Sequence, residues 1–223
     1  FTTKACGSAT AVNKTLQTEA ADAFLAMQAA AAKDGVTIWM QSGYRSVKYQ
    51  EGLYNKKTQY YLDKGLSRAE ALQKAASIVN PPGYSEHNCG LAADLNSPEH
   101  TGLDEGFEKT TAFRWLCEHA GDYGFILRYP EGREDITGFC FEPWHYRFVG
   151  RTLALQVRES GLTYDEFLAR RAVDRPHTAL CAGDMPLVDQ LEHALPGEGL
   201  FWLLMAAAAG TVTGLALNLI MPA

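Results

Sequence analysis

Two short segments carry the residues of this sequence that are best suited to bind a metal ion. The segment SEHNCGLAAD supplies His87 and Asp94, and the segment EPWHY supplies His145. Two imidazoles and one carboxylate form a ligand set of a catalytic zinc ion, which keeps a fourth position for water. Glu142, three residues before His145, is also of a type that occurs in catalytic sites. The chemistry that these residues indicate is that of a catalytic zinc ion.

Each of these residues also has an ordinary structural interpretation. A single histidine in a strand, such as His87 or His145, is more often packed or exposed than bound to a metal ion. Asp94 fits equally well as a turn or cap residue, and Glu142 as a solvated carboxylate. Residue spacing alone therefore leaves both interpretations open.

The spacing of Glu142 and His145 does not suit a regular element. A helix would place them on one face, but Pro143 has no N–H and favours an extended backbone at Glu142. In a strand, residues three apart point to opposite faces. We therefore expect an irregular turn at Pro143 and Trp144 that brings Glu142 and His145 together.

The elements around these segments predict an α+β domain that ends near residue 172. Six helices are expected, over residues 10–34, 47–64, 67–79, 110–124, 151–161 and 163–171. The helix over 67–79 opens with Ser67 three residues before Glu70, which is a capping-box spacing. Strands are expected over 36–41 and 91–96, and FILRYP should pair antiparallel with ITGFCFEPWHYRFVG. The prediction is a small antiparallel sheet that carries the site and packs against several helices.

Composition excludes some functions. The formal net charge is −6 and no basic run stands out, so nucleic-acid binding is not expected. Five cysteines are too few for a disulfide scaffold, and they lack the CxxC spacing of a thiolate zinc site. The opening FTTKACGS has no charged or apolar signal region, so no signal peptide is expected in this chain, which is compatible with earlier removal of one.

Residues 200–221 run for 22 residues without a charge, which is long enough to cross a bilayer. A buried core helix is the alternative, but such helices are rarely apolar on every side. We predict a catalytic domain over 1–172, a linker over 173–199 and a C-terminal transmembrane helix over 200–221. The nearly cation-free flank before the span is compatible with a catalytic domain on the outer face of the membrane.

Four segments occur together in this chain: SGYRS followed by Gln50, SEHNCGLAAD, RYPEGREDITG and EPWHYRFVG. In this combination and order, the chain resembles the VanY-type D-alanyl-D-alanine carboxypeptidases over about residues 36–171. The resemblance implies a zinc peptidase that trims bacterial peptidoglycan precursors, with a fold shared with VanX-type dipeptidases. It also implies a stem peptide ending in D-Ala-D-Ala as the substrate.

The resemblance assigns roles to individual residues. It implies that one zinc ion is bound by His87, Asp94 and His145. Glu142 corresponds to the catalytic base, and Arg45 to the residue that holds the terminal carboxylate of the substrate. Two further residues are expected to line the pocket: Gln50 and Ser85. Cys89 and Cys140 depart from the common pattern, and they are expected to form either a disulfide or two buried thiols.

Alternative functions remain on the same scaffold. A D,D-dipeptidase would differ in how far the segments 52–66 and 97–109 close the pocket. An L,D- or endopeptidase-type cell-wall hydrolase is less compatible with Arg45, and an endopeptidase in particular cleaves an internal bond, which offers no carboxylate there. An inactive zinc-binding or wall-binding module is less compatible with Glu142, since a purely structural zinc site would use a fourth ligand instead.

Overall fold

The computed structural model describes residues 2–6 and 14–174, which form six strands and seven α-helices. The strands are β1 (Thr3–Ala5), β2 (Thr15–Gln17), β3 (Trp39–Ser42), β4 (Ala92–Asn96), β5 (Phe125–Leu127) and β6 (His145–Phe148). The helices are α1 (Thr18–Lys33), α2 (Val47–Asp63), α3 (Arg68–Ala76), α4 (Thr111–His119), α5 (Glu134–Thr137), α6 (Arg151–Ser160) and α7 (Tyr164–Asp174). Three short 3₁₀ helices join them: Glu86–Cys89, Glu105–Lys109 and Ala120–Tyr123.

A four-stranded antiparallel sheet organises the domain, in the order β3-β4-β6-β5. Strand β4 lies at its centre, and all five of its residues are buried. Side chains alternate between the two faces of a strand. Ala93 and Leu95 therefore point into the main hydrophobic core, while Asp94 points to the opposite face. Strands β1 and β2 form a separate two-stranded sheet.

The main core fills the space between this sheet and helix α1. Phe24 and Met27 of α1 are fully buried there, together with Tyr146 of β6. The fully buried phenylalanine ring of Phe107 closes the core from the segment before α4. The apolar positions of α1 recur at helical spacing, so one face of the helix is buried against the sheet. Because one face of the sheet packs against this core, the opposite face is left to carry polar residues such as Asp94.

Helices α2 and α3 form a hairpin with its own small core around Tyr54 and Ala71. Helix α3 starts with the predicted capping box: the Ser67 hydroxyl accepts a hydrogen bond from the Glu70 N–H, and the Glu70 carboxylate accepts one from the Ser67 N–H. Ser46 caps α2 by accepting a hydrogen bond from the N–H of Tyr49 at 3.1 Å. The predictions of both helices are confirmed.

The predicted α+β architecture is confirmed, with three local differences. The first helix begins at Thr18 rather than near residue 10, because Thr15–Gln17 pairs with β1 as a strand. The first sheet strand is Trp39–Ser42, a shift toward the turn that follows it. The segment ITG is not part of a strand. It ends the short helix α5, because Gly138 adopts a left-handed conformation with φ of 74°.

The predicted linker from residue 175 onward and the predicted transmembrane helix over 200–221 lie outside the described residues. Within the part of the chain that is described, no helix combines the length and apolar character needed to cross a membrane. The predicted domain boundaries therefore stay predictions.

The two cysteines near the site are free thiols, so a Cys89–Cys140 disulfide is not formed. The thiol of Cys89 lies 2.8 Å from the carbonyl oxygen of Glu86, at the end of its own 3₁₀ helix. Cys140 is exposed on the segment that follows α5, so the expectation of two buried thiols is also wrong.

Candidate active site

Asp94 and His145 are brought together by the register of the central strands. They are direct partners across the antiparallel pair β4–β6, and both side chains are buried. Directly opposite residues on one face of such a pair have neighbouring side chains. The Nδ1 atom of His145 lies 3.1 Å from the Oδ1 atom of Asp94. Ser42 of β3 is the partner of Asp94 on the other side.

His87 reaches the same cluster from the 3₁₀ helix Glu86–Cys89. Gly90 ends this helix with φ of 70°, a conformation that side chains disfavour, and the chain then enters β4. The Nε2 atom of His87 lies 3.3 Å from Oδ1 of Asp94. Its Nδ1 atom lies 2.7 Å from the carbonyl oxygen of Gly43. Since a carbonyl only accepts, Nδ1 carries the proton, and Nε2 offers a lone pair to the cluster.

His145 is oriented by Glu86. The Nε2 atom of His145 lies 3.4 Å from Oε2 of Glu86, which leaves Nδ1 facing Asp94 and His87. Burial lowers the pKa of His145, but hydrogen bonds to Asp94 and Glu86 outweigh burial and raise it to about 9. A metal ion that binds His145 must therefore displace a proton.

The charges around Asp94 and His87 favour a carboxylate beside a neutral imidazole. Burial alone would raise the pKa of Asp94, but its contact with His87, the positive charge of Arg45 and the hydrogen bond from His145 hold it well below its usual range. Burial lowers the pKa of His87, although Asp94 acts in the opposite direction. Both groups are thus biased towards the protonation states in which they bind a metal ion.

The donor atoms of His87, Asp94 and His145 fit a zinc ion. One nitrogen or oxygen from each residue lies within 4.8 Å of the other two. Two donors bound to zinc in tetrahedral geometry at about 2.1 Å are about 3.4 Å apart. The two observed distances to Asp94 Oδ1, 3.3 Å and 3.1 Å, are close to that value. The donor set is also that of a catalytic zinc site with three protein ligands.

Glu142 approaches this group through a tight turn. The carbonyl oxygen of Glu142 accepts a hydrogen bond from the N–H of His145 at 3.0 Å, with Pro143 and Trp144 at the two central positions. Pro143 occupies the turn position at which its fixed φ is favoured. The Oε2 atom of Glu142 lies 3.7 Å from Nδ1 of His145. The irregular turn expected at Pro143 and Trp144 is therefore present.

Glu142 is a carboxylate in a desolvated setting. It is 7% exposed, and burial raises its pKa to about 7, although His145 acts in the opposite direction. A carboxyl group with this pKa exchanges protons readily near neutral pH. It stands beside the three candidate ligands and is not one of them.

Arg45, Gln50 and Ser85 line the same cavity as the triad, which has a volume of about 430 Å³. The guanidinium of Arg45 forms an ion pair with Asp94 through Nη2, and its Nε–H donates to Ser42 Oγ at 2.9 Å. Gln50 donates from Nε2 to the carbonyl oxygen of Asn80 at 2.8 Å. Its Oε1 atom is buried and has no hydrogen-bond partner among the described residues.

Ser85 has a structural contact as well. Its hydroxyl accepts a hydrogen bond from the N–H of His87 at 3.3 Å and so caps the 3₁₀ helix that carries this ligand. The predicted site residues are thus brought together, and Ser85 also positions His87.

Comparisons with known proteins identify the family of this chain. The family VanY, D-alanyl-D-alanine carboxypeptidase, matches residues 13–151, which is more than half of the chain. The chain belongs to the VanY family. A D-alanyl-D-alanine carboxypeptidase of Enterococcus faecalis is 40% identical to it over 141 residues, which are 62% of this chain and 50% of that protein. The chain spans about half the length of the curated relatives that it matches.

Two solved structures illustrate the range of proteins that share the VanY fold. A vancomycin resistance D,D-pentapeptidase VanY, solved in complex with Zn(II), is 33% identical, with a TM-score of 0.63 over 75% of this chain and 89% of that one. The LD-carboxypeptidase LdcB is 34% identical, with a TM-score of 0.66 over 74% of each chain. Similar scaffolds therefore occur in peptidases of both stereochemical preferences.

This VanY-family site includes residues that the sequence did not single out. Glu86 receives a hydrogen bond from Nε of Arg128 at 2.8 Å, on the carboxylate that also contacts His145. Burial would raise the pKa of Glu86, but His145 and Arg128 outweigh burial and lower it to about 2. Arg128 in turn binds the carboxylate of Asp165 on α7 at 2.6 and 3.0 Å.

A sequence signal existed for one of these residues. Glu86 stands beside His87, so an acid next to a candidate ligand could have been examined as a hydrogen-bond acceptor. No local pattern links Arg128 to Asp165, because they are 37 residues apart in the chain.

Proposed function

We propose that this VanY-family chain is a zinc-dependent D,D-carboxypeptidase that removes the terminal D-Ala from peptidoglycan stem peptides ending in D-Ala-D-Ala. One observation carries the proposal. The triad His87, Asp94 and His145 has a buried, non-ligand carboxylate beside it, with Glu142 Oε2 at 3.7 Å from Nδ1 of His145. The name of the family and those of its relatives support the substrate class.

Three residues would hold the zinc ion: His87, Asp94 and His145. When bound, zinc activates water as a nucleophile and polarises a carbonyl group. The hydrogen bonds from His87 to Gly43 and from His145 to Glu86 orient both imidazoles and select the tautomers that offer a lone pair to the ion. The VanY relative solved with Zn(II) supports this assignment.

Glu142 would act as the general base and then as the general acid. Its carboxylate would accept a proton from the attacking water and return it to the nitrogen of the departing D-Ala. Burial makes this carboxylate a stronger base than an exposed one, because burial raises its pKa. The turn at Pro143 holds the carboxylate beside the ligands while leaving it outside the triad.

Arg45 would hold the terminal carboxylate of the substrate. The side chain is 15% exposed and lines the cavity, and its Nε–H bond to Ser42 fixes the plane of the guanidinium. Its Nη1 group has no hydrogen-bond partner among the described residues and is available to a ligand. A planar guanidinium binds a carboxylate through two parallel hydrogen bonds. Such a contact selects substrates with a free C-terminus.

Product identification tests this proposal. Purified zinc-loaded protein should convert a pentapeptide stem ending in D-Ala-D-Ala into the tetrapeptide and free D-Ala, and it should leave the free dipeptide D-Ala-D-Ala largely intact. The variant Glu142→Gln, incubated in parallel, controls for contaminating peptidases. Cleavage of the dipeptide alone would instead identify a D,D-dipeptidase. Zinc binding without cleavage of any peptide would identify an inactive binding module.

A second candidate function, L,D-carboxypeptidase activity, is favoured by the similarity to LdcB. It predicts release of D-Ala from a tetrapeptide, in which the bond joins an L-centre to a terminal D-residue. The tetrapeptide is the product of the first reaction, so the two activities would appear as successive losses of D-Ala. Incubation with purified tetrapeptide therefore separates them.

We also propose that residues 200–221 anchor the domain to the outer face of a bacterial membrane. Support comes from the 22-residue run without charge and from the substrate class, which belongs to the cell wall. The full chain should need detergent to stay in solution, whereas a chain ending at residue 174 should not. Equal behaviour of the two chains without detergent would refute the anchor.

A further inference from the structure

Two lysines on helix α2 line the same cavity as the metal-binding triad. They are Lys56, which is exposed, and Lys57, which is half-buried. No ion pair of either lysine is found among the described residues. The ammonium of Lys57 lies 5.6 Å from the centre of the Tyr60 ring, an aromatic contact that does not neutralise its charge. Both lysines therefore offer unpaired positive charge to the cavity.

The acids of the cavity do not compensate for this charge. The carboxylates that line it are those of Asp94 and Glu142, and both are buried at the triad. Asp94 is already paired with Arg45. The chain as a whole carries a formal charge of −6, so the charge of these two lysines is opposite in sign to that of the whole chain. The cavity is thus a local region of positive charge at its α2 wall.

The position of these lysines indicates which part of a peptide they would meet. If the proposed function is correct, the substrate has only one residue after the scissile bond. The carboxylate of that residue faces Arg45. The rest of the peptide must leave the cavity towards solvent. The α2 wall carries the exposed Lys56, whereas the triad and Glu142 are buried. The N-terminal part of the substrate would therefore run past this wall.

We propose that Lys56 and Lys57 form a subsite for a carboxylate carried by the peptide on the N-terminal side of the scissile bond. This inference rests on the proposed function and adds to it a preference for substrates that are acidic upstream of the terminal dipeptide. The subsite acts through charge at a partly exposed surface, so its effect is modest and falls with increasing salt. Arg45 and the lysines would thus bind two different carboxylates of one substrate.

A pair of peptides tests the subsite. Both end in D-Ala-D-Ala and differ in one upstream group, which is a free carboxylate in one peptide and an amide in the other. The wild-type protein should cleave the acidic peptide with a kcat/KM about 3- to 10-fold higher. The double variant Lys56→Gln/Lys57→Gln should bring this ratio close to 1. Lys48→Gln is the matched control, because Lys48 is exposed on the same helix but does not line this cavity.

Three outcomes would overturn the inference. The wild-type protein could cleave both peptides equally, the double variant could keep the preference, or it could lose discrimination between a free and an amidated C-terminus. The last result would mean that the lysines hold the terminal carboxylate. If neither peptide is cleaved, the proposed function fails. In that case, calorimetry measures the affinity of both peptides for the wild-type chain and for the lysine-substituted chain. The subsite predicts that the wild-type chain binds the acidic peptide more tightly and that the double variant binds both peptides equally.

Discussion

Replacing Glu86 with glutamine should weaken zinc binding while leaving the three ligands intact. The carboxylate of Glu86 accepts hydrogen bonds at both oxygens: Oε1 accepts from Nε of Arg128 at 2.8 Å, and Oε2 faces Nε2 of His145 at 3.4 Å. A glutamine has one acceptor oxygen, and its NH₂ group can only donate. One of the two neighbouring N–H groups would therefore face a donor and lose its partner.

The size of the effect follows from the role of this contact. Acceptors that orient a metal-bound histidine typically contribute about 10- to 100-fold in metal affinity or activity. For Glu86→Gln we expect a loss in this range, which corresponds to about 1.4–2.8 kcal/mol of binding free energy. The loss should lie in zinc affinity, because Glu86 contacts His145 and does not belong to the triad.

Competition between the protein and a chromophoric chelator measures this affinity. The variant Asp165→Asn is the matched control, because it removes the charge of the other carboxylate that binds Arg128 and leaves the contact between Glu86 and His145 in place. We expect Asp165→Asn to lower the Tm of the protein. Its zinc affinity should stay within about twofold of the wild-type value. If Glu86→Gln, folded by circular dichroism, binds zinc as tightly as the wild-type protein, Glu86 does not position His145.

Three further predictions concern single side chains. Glu142→Gln should keep about one zinc ion per chain and lose at least about 100-fold in kcat, and substantial residual hydrolysis would exclude Glu142 as the base. Arg45→Ala should abolish the preference for a free C-terminus over an amidated one; equal cleavage of both by the wild-type protein would contradict the clamp. Thr110→Ala should lower the free energy of unfolding by about 1–2 kcal/mol, which corresponds to a Tm lower by about 2–8 °C. The reason is that the Thr110 hydroxyl caps α4 by accepting a hydrogen bond from the Phe113 N–H at 3.0 Å. The exposed neighbour variant Thr111→Ala is the control, and an equal loss of Tm in both would argue against the cap.

The features that sequence analysis predicted depend on local signals. The Ser67 capping box and the turn at Pro143 are determined by a few adjacent residues, and both are present. The expected approach of His87, Asp94 and His145 rested on the resemblance and on strand assignments, and the sheet register brings them together.

The features that were missed depend on long-range pairing. The segment Thr15–Gln17 directly precedes helix α1, and its pairing with β1 makes it a strand. The hydrogen bonds from Arg128 to Glu86 and to Asp165 join three segments that are far apart in the sequence. No short stretch of sequence therefore contains all three residues. The prediction of a disulfide between Cys89 and Cys140 was wrong because it also depended on long-range pairing. Two segments that lie close together need not have side chains that point towards each other.

The direct pairing of Asp94 with His145 determines where this protein tolerates insertions. The candidate ligands depend on the register of β4 and β6, whereas the exposed loops within the connecting residues 97–144 contain none of these ligands. A residue inserted inside either strand would turn a ligand to the opposite face and destroy the metal site. An insertion at an exposed tip of the connection would cost little closure entropy and leave the ligands aligned. Relatives can therefore vary widely in this connection, and so in the walls of the pocket, while keeping the same metal chemistry.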